Sequence, residues 1–196
     1  LSTAVELGCG ISGIVGLLLA PRISRYILTD QSYVAKLVEQ NLEENRLAVK
    51  NTAKTTIGRR SRTATSETSP GGNISFASLD WETDVAGSAL RTATSLSSFD
   101  LVIACDCIYN EALIEPLVQT CVDICKLRDD DDSEPRRDPT VCIVAQQLRD
   151  PDIFGAWLVR FSHSFDVWRI PDSSLSETLR PQAGFVVHVG ILKRSS

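Results

Sequence analysis

Residues 5–13, Val-Glu-Leu-Gly-Cys-Gly-Ile-Ser-Gly, place a Gly-x-Gly-x-x-Gly loop at the end of a short apolar run, with an acidic side chain two positions ahead of the first glycine. Gly8 and Gly10 reach backbone angles closed to other residues and carry no side chain, so a ligand can lie directly against the main chain. Gly13 lets the following helix pack close. That helix is predicted over residues 12–20, with Ile14, Val15, Leu17 and Leu18 apolar and Pro21 ending it. A second strand is expected from Arg25 to Asp30, which brings Asp30 to where a carboxylate accepts hydrogen bonds from two ribose hydroxyls.

The three glycines and the acid suit a nicotinamide- or flavin-binding domain as well as other nucleoside cofactors. Glu6 separates the two readings. A pyrophosphate favours backbone N–H groups at a helix N-terminus and no carboxylate nearby, whereas S-adenosylmethionine has no phosphate and carries an α-ammonium and a sulfonium. The Glu-Leu-Gly-x-Gly-x-x-Gly form resembles the first motif of the class I, seven-stranded methyltransferases, and the resemblance favours S-adenosylmethionine.

The 196 residues, 43% hydrophobic and 23% charged, suffice for one α/β domain with its own core. No run of about 18 apolar residues exists, so no membrane span is predicted. The net charge of −5 argues against a direct nucleic-acid partner and suits a basic protein substrate. Cys105 and Cys107, spaced i, i+2 on a predicted strand, and Cys121 and Cys125, spaced i, i+4 on a predicted helix, should each share a face. A four-thiolate metal site is conceivable, but neither pair is a Cys-x-x-Cys knuckle, and both sit in apolar runs where free thiols pack as small hydrophobes. Reduced thiols imply an intracellular, cytoplasmic or nuclear, setting.

The alternation of strand and helix continues. Val34, Leu37, Val38 and Leu42 share one face of a helix predicted over 32–47. Residues 50–73, rich in Thr, Ser, Ala and Gly with Lys50, Lys54, Arg59, Arg60 and Arg62, are expected to be a disordered insertion, its basic cluster either solvated or touching RNA or an acidic surface. Ile74, Phe76 and Leu79 suggest a short strand leading into Asp80-Trp81, where an Asp can accept from an adenine amino group and the indole can either stack on the ring or pack in the core. Residues 83–98 read as a loop or weak helix.

Phe99–Asn110 reads as a nearly continuous apolar strand of a parallel sheet covered on both faces, ending in Asp106 and Tyr109. Ligands of open α/β sheets bind beyond the carboxyl ends of the strands near the switch in strand order, so both residues fall where a methyl acceptor enters. Beyond it come a helix over 110–126, in which Pro116 calls for an irregular first turn or a later start, an acidic connector at 129–134 within an insertion at 128–139, and a strand over 140–146. A helix opened by Asp150-Pro151, with Trp157 in the core, then precedes an antiparallel pair at 165–170 and 184–192.

Asp106-x-x-Tyr109 resembles the Asp-x-x-Tyr motif of the non-SET, seven-strand protein lysine methyltransferases. Leu79-Asp80-Trp81 matches a triplet of the same family, and Cys-Asp-Cys-Ile-Tyr-Asn-Glu looks closest to its fungal-type ribosomal lysine methyltransferases. The resemblance runs from Val5 to about Lys193. It implies a Rossmann-like sheet of order 3-2-1-4-5-7-6 with the last strand antiparallel, in a single domain over 1–196 that acts as a monomer. It also implies cofactor contacts from Glu6, Gly8, Cys9, Gly10, Asp30, Asp80, Trp81 and Cys105, and a protein substrate, with a ribosomal protein as the leading candidate. Family members carry a segment ahead of the first strand that helps close over cofactor and substrate, and this chain is expected to lack it. In the implied reaction a lysine amine displaces the sulfonium methyl group, with Asp106 orienting the ammonium and helping to release its proton and Tyr109 lining the acceptor channel. The alternative for Asp106 is that it only contacts the ligand shell or caps the next helix.

Two other functions stay open on the sequence. A non-catalytic S-adenosylmethionine-binding module keeps Gly8, Gly10, Asp30 and Trp81 but has no use for Asp106 and Tyr109. A nicotinamide-dependent oxidoreductase needs a proton donor, and the chain offers no Tyr-x-x-x-Lys pair and only His163 and His188, expected at a helix end and in the terminal strand.

Overall fold

Strands that alternate with helices can lie side by side in parallel only if each helix crosses back over the sheet. The computed structural model describes residues 2–56, 72–128 and 138–194. Along the chain come β1 (Thr3–Leu7), α1 (Ile14–Leu19), β2 (Arg25–Asp30), α2 (Ala35–Thr56), β3 (Ile74–Ser78) and α3 (Ala86–Thr94). They are followed by β4 (Leu101–Cys105), α4 (Ile114–Lys126), β5 (Val141–Gln147), α5 (Pro151–Ser164), β6 (Phe165–Arg169) and β7 (Phe185–Leu192). The seven strands form one sheet of order 3-2-1-4-5-7-6, as expected. β1 to β5 pair in parallel, and β7 inserts antiparallel between β5 and β6.

Strand parity builds two cores. Val5, Leu7, Ile27, Val102, Ala104 and Val144 face α3, α4 and α5, while Ala4, Tyr26, Leu28, Ile74 and Ile103 face α1 and α2. Both faces of the central strands are therefore covered, which is why β2 and β4 read as unbroken apolar runs. Trp157 is buried between Phe154 and Phe161, as predicted for the core. Gly13 sits at the N-terminus of α1 with φ +54°, and a Cβ there would lie 2.9 Å from Leu28 Cδ1, so a bare residue is what lets α1 close on β2.

Several boundaries differ from the sequence reading. α2 runs on to Thr56, so Lys50 and Lys54 belong to a helix. Residues 57–71, with Arg59, Arg60 and Arg62, lie outside the described residues, as do 129–137 with the acidic connector. Arg128 belongs to the fold, donating to Asp100 Oδ1 at 2.7 Å. Residues 86–94 form a regular helix with Leu90 fully buried. The helix over 110–126 has the irregular start that Pro116 called for: Asn110 caps a 3-10 turn, Glu111–Leu113, and Pro116 falls in the first turn of α4.

β4 is shorter than predicted. It stops at Cys105, because Asp106 adopts φ +60° and breaks the alternation. Cys105 consequently packs on the α1/α2 side and Cys107 on the opposite one, so the two thiols do not share a face. Cys121 and Cys125 do share the buried face of α4, with Cys125 Sγ 3.5 Å from Cys142 Sγ of β5. All six cysteines are free thiols.

Candidate active site

The sheet runs outward from β1 in both directions, to β2 and β3 on one side and to β4 and β5 on the other, so the loops after β1 and β4 part at their carboxyl ends. A cleft of about 470 Å³ opens there, a size suited to a small-molecule cofactor. It is lined by Gly8, Gly10, Asp30, Asp80 and Trp81 from the carboxyl ends of β1, β2 and β3, and by Asp106, Cys107, Tyr109 and Leu113 from the segment after β4. The structure thus brings together seven of the ten residues singled out from the sequence.

Gly8 has φ +65°, and a Cβ on it would lie 2.9 Å from Cys107 Sγ and 3.2 Å from the Trp81 ring. The loop, the indole and the thiol are therefore packed as one floor, with Cys107 donating to the Leu7 carbonyl at 3.1 Å. Asp30 fixes the loop from the next strand: its Oδ2 accepts from Gly10 N–H at 2.9 Å and its Oδ1 from Gln31 N–H at 2.8 Å. A carboxylate has about four lone-pair sites, so both oxygens keep capacity for ligand hydroxyls. Asp80 accepts from Gln31 Nε2 at 3.2 Å and from Glu82 N–H at 3.0 Å. Trp81 lines the cleft and packs against the core, and its buried Nε1 has no hydrogen-bond partner among the described residues.

Three expected cofactor contacts lie elsewhere. Glu6 is 2% exposed, and strand parity turns it away from the cleft toward α1, where Tyr26 donates to its Oε2 at 2.7 Å. Burial pushes its carboxyl above the usual range, with the bonds from Tyr26 and Gly16 N–H opposing the rise. It ties β1 to Tyr26 of β2 and Gly16 of α1. Cys9 is buried on that same side with its thiol pushed up to about 12 by desolvation and then by Glu6 and Asp30, and Cys105 lies there too, pushed up to about 11. Neither side chain lines the cleft.

Asp106 does not cap the next helix, since Asn110 does that through Ala112 N–H. Its carboxylate meets Arg149 instead, with Nη1 donating to Oδ1 at 3.0 Å and Nη2 to Oδ2. Gln146, 3% exposed, donates to the same Oδ1 at 3.2 Å and to the Ile108 carbonyl at 2.9 Å, and accepts from Ile108 N–H at 3.1 Å. Sequence reasoning missed Arg149, Gln146 and Cys107. Its available signal was position: two polar residues at the carboxyl end of β5, the strand beside β4, face the same end of the sheet as the glycine loop. Of the histidines, His163 ends α5, and His188 of β7 is buried against Phe154 and Trp157, where burial and then Arg169 push its pKa down.

With Asp106 paired to Arg149, the charge of the cleft lining comes from the carboxylates of Asp30, Asp80 and Glu82, and no Lys or Arg is among its lining residues. Such a surface suits a cation and repels a pyrophosphate. No helix of the described residues is long and apolar enough to cross a membrane.

Comparison with known proteins agrees with this architecture. Residues 2–58 and 60–130 match the model of a family described as lysine methyltransferase. A Zygosaccharomyces rouxii protein named ribosomal lysine N-methyltransferase 5 is 31% identical over 192 residues, covering 90% of this chain and 57% of that protein. A Schizosaccharomyces pombe protein named diaminohydroxyphosphoribosylamino-pyrimidine deaminase is 24% identical over 177 residues, 90% of this chain but 35% of its own length. The chain spans about half or less of these curated relatives. Among solved structures, the N-methyltransferase NodS of Bradyrhizobium japonicum WM9, in complex with S-adenosyl-L-homocysteine, shares the class I methyltransferase fold with a TM-score of 0.52 at 12% identity, over 98% of this chain and 79% of that one. With most of its residues inside the family match and the matching sheet order, this chain belongs to the lysine methyltransferase family.

Proposed function

We propose that the cleft binds S-adenosylmethionine and that the protein transfers its methyl group to a lysine side chain of a protein substrate, a ribosomal protein by analogy with the Z. rouxii relative. The observation that carries the cofactor assignment is the charge of the lining: a sulfonium and an ammonium gain from the carboxylates of Asp30, Asp80 and Glu82, whereas the phosphates of a dinucleotide would face them with no cation among the lining residues. Trp81 adds an unpartnered indole N–H and an aromatic surface on the loop, and the space beside Gly10 is open. Gly8, Gly10, Asp30, Asp80 and Trp81 would hold the cofactor, Asp30 accepting from ribose hydroxyls and Asp80 from the adenine amino group.

Bound there, S-adenosylmethionine supplies an electrophilic methyl group for direct displacement. The protein's own contribution is alignment and protonation state. Tyr109, 62% exposed at the mouth of the cleft, flanks the approach of a long side chain, and Asp106 accepts a hydrogen bond from the incoming nitrogen. A free lysine has a pKa of about 10.4, so the amine must be brought to its uncharged form at this point.

Calorimetric titration with S-adenosylhomocysteine and, in parallel, with NAD tests the cofactor assignment. Binding of the former alone is expected. Binding of NAD alone would return the site to the oxidoreductase reading.

A further inference from the structure

The carboxylate at the acceptor end of the cleft already holds a cation. Arg149 grips Asp106 with both guanidinium arms, and Gln146 holds Oδ1 from a buried position. Arg149 is itself set in place, its N–H donating to the Gln147 carbonyl at 3.0 Å, while the next residue, Asp150, caps α5 through Asp152 and Ile153 N–H. Asp106 meets this grip from a left-handed backbone, φ +60°, with its N–H bonded to the Ala145 carbonyl at 2.8 Å. A conformation that is costly for a non-glycine residue is thus held by Ala145 and Gln146 of β5 and by Arg149 just beyond it.

This arrangement bears on an electrostatic problem of lysine methylation. Only the uncharged amine has a lone pair to donate, yet a bare carboxylate beside a lysine favours the ammonium form and raises its pKa. A bidentate guanidinium cancels that charge without filling the carboxylate's lone pairs: Oδ2 accepts from Arg149 alone among the described residues. We propose that Arg149 is a positioning residue for the transfer. By neutralising and orienting Asp106, it lets that carboxylate accept a hydrogen bond from the substrate amine without holding the amine as an ammonium ion. This rests on the methyltransferase reading above. The lysine ammonium loses its proton to solvent, the freed lone pair forms the N–C bond, the C–S bond breaks with its electrons on sulfur, and the positive charge passes to the product nitrogen.

Among the described residues, the other titratable groups facing the cleft are Cys107 and Tyr109 from the loop after β4, Asp30 at the end of β2 and Tyr33 beyond it, and Asp80 and Glu82 from the loop after β3. Asp30 and Asp80 are engaged at the cofactor end by Gly10 and Gln31, and burial pushes the Cys107 thiol up so that it stays protonated. Asp106 with Arg149 is therefore the charged pair at the acceptor end.

The test compares wild type, Arg149→Gln and Arg149→Lys in two ways. The rate of methyl transfer from labelled S-adenosylmethionine to isolated yeast ribosomal proteins is followed from pH 6 to 10, and binding of n-butylammonium chloride in the presence of S-adenosylhomocysteine is followed by NMR at pH 7. For Arg149→Gln, kcat at pH 7 should fall about tenfold with KM unchanged or lower, and the midpoint of the alkaline rise should move up by about one unit. n-Butylammonium should bind about fivefold tighter or more, and Arg149→Lys should restore most of both properties. A uniform rate loss with an unmoved pH midpoint, or n-butylammonium binding that is equal or weaker in Arg149→Gln, would overturn the proposal. The binding comparison needs no catalysis, so it decides the role of Arg149 even if absent transfer by the wild type defeats the functional reading.

Discussion

Asp106→Asn lowers the rate of methyl transfer by about 10²-fold while leaving S-adenosylhomocysteine affinity within about twofold of wild type. The substitution is nearly isosteric, and Asn tolerates the left-handed backbone at this position as well as Asp does, so the fold is expected to survive. What changes is electrostatic. The amide offers only one accepting oxygen, its NH₂ group opposes the guanidinium of Arg149, and that guanidinium is left uncompensated beside the acceptor end of the cleft. An incoming lysine then meets a net positive charge where the wild type presents a neutral pair. Steady-state kinetics combined with calorimetry read the two effects separately. Full turnover with normal cofactor affinity would remove Asp106 from the reaction.

Gly8→Ala acts at the other end of the cleft and strikes binding before rate. An alanine at φ +65° is strained by about 1–2 kcal/mol, and its methyl group would meet Cys107 Sγ at 2.9 Å and the Trp81 ring at 3.2 Å. The thiol sits near the base of a buried side chain bonded to the Leu7 carbonyl and has little freedom to retreat, so the indole must shift. Because Trp81 forms part of the cleft wall, the displacement deforms the surface assigned to the cofactor. S-adenosylhomocysteine affinity should fall at least tenfold and the thermal midpoint should drop, measured by calorimetry and by thermal unfolding. Wild-type affinity in this variant would mean that the loop and Trp81 do not form the cofactor seat.

The parts of the site legible in the sequence are those set by local chain geometry. The strand, glycine loop and helix at residues 3–19 and the acid at the end of the next strand form a unit in which backbone requirements dictate residue types, and Gly8, Gly10 and Asp30 line one cleft. The Asp150 cap and the proline after it likewise placed α5. What was hidden depends on contacts between distant segments. Glu6 looks like a loop residue by proximity, yet the parity of β1 points it into the α1/α2 core, and the Tyr26 hydroxyl that receives it lies 20 residues away. Nothing in the apolar run from 99 to 110 announces that Asp106 turns left-handed, so the strand was read too long and Cys105 and Cys107 were placed on one face. Arg149 sits 43 residues from Asp106, and only the pairing of β4 with β5 makes them neighbours. The carboxyl-terminal half of α2 lacks the apolar period of its start, which is why its helical continuation to Thr56 read as loop.

The activity proposed for this member of the lysine methyltransferase family is methylation of lysine in a protein. The most direct measurement incubates the protein with isotopically labelled S-adenosylmethionine and isolated yeast ribosomal proteins, then locates the label by peptide mass spectrometry. Labelled methyl groups on a lysine Nζ, formed by the wild type and strongly reduced with Asp106→Asn, are the predicted result. Label confined to another residue type, or no label while S-adenosylhomocysteine binds normally, would contradict the account.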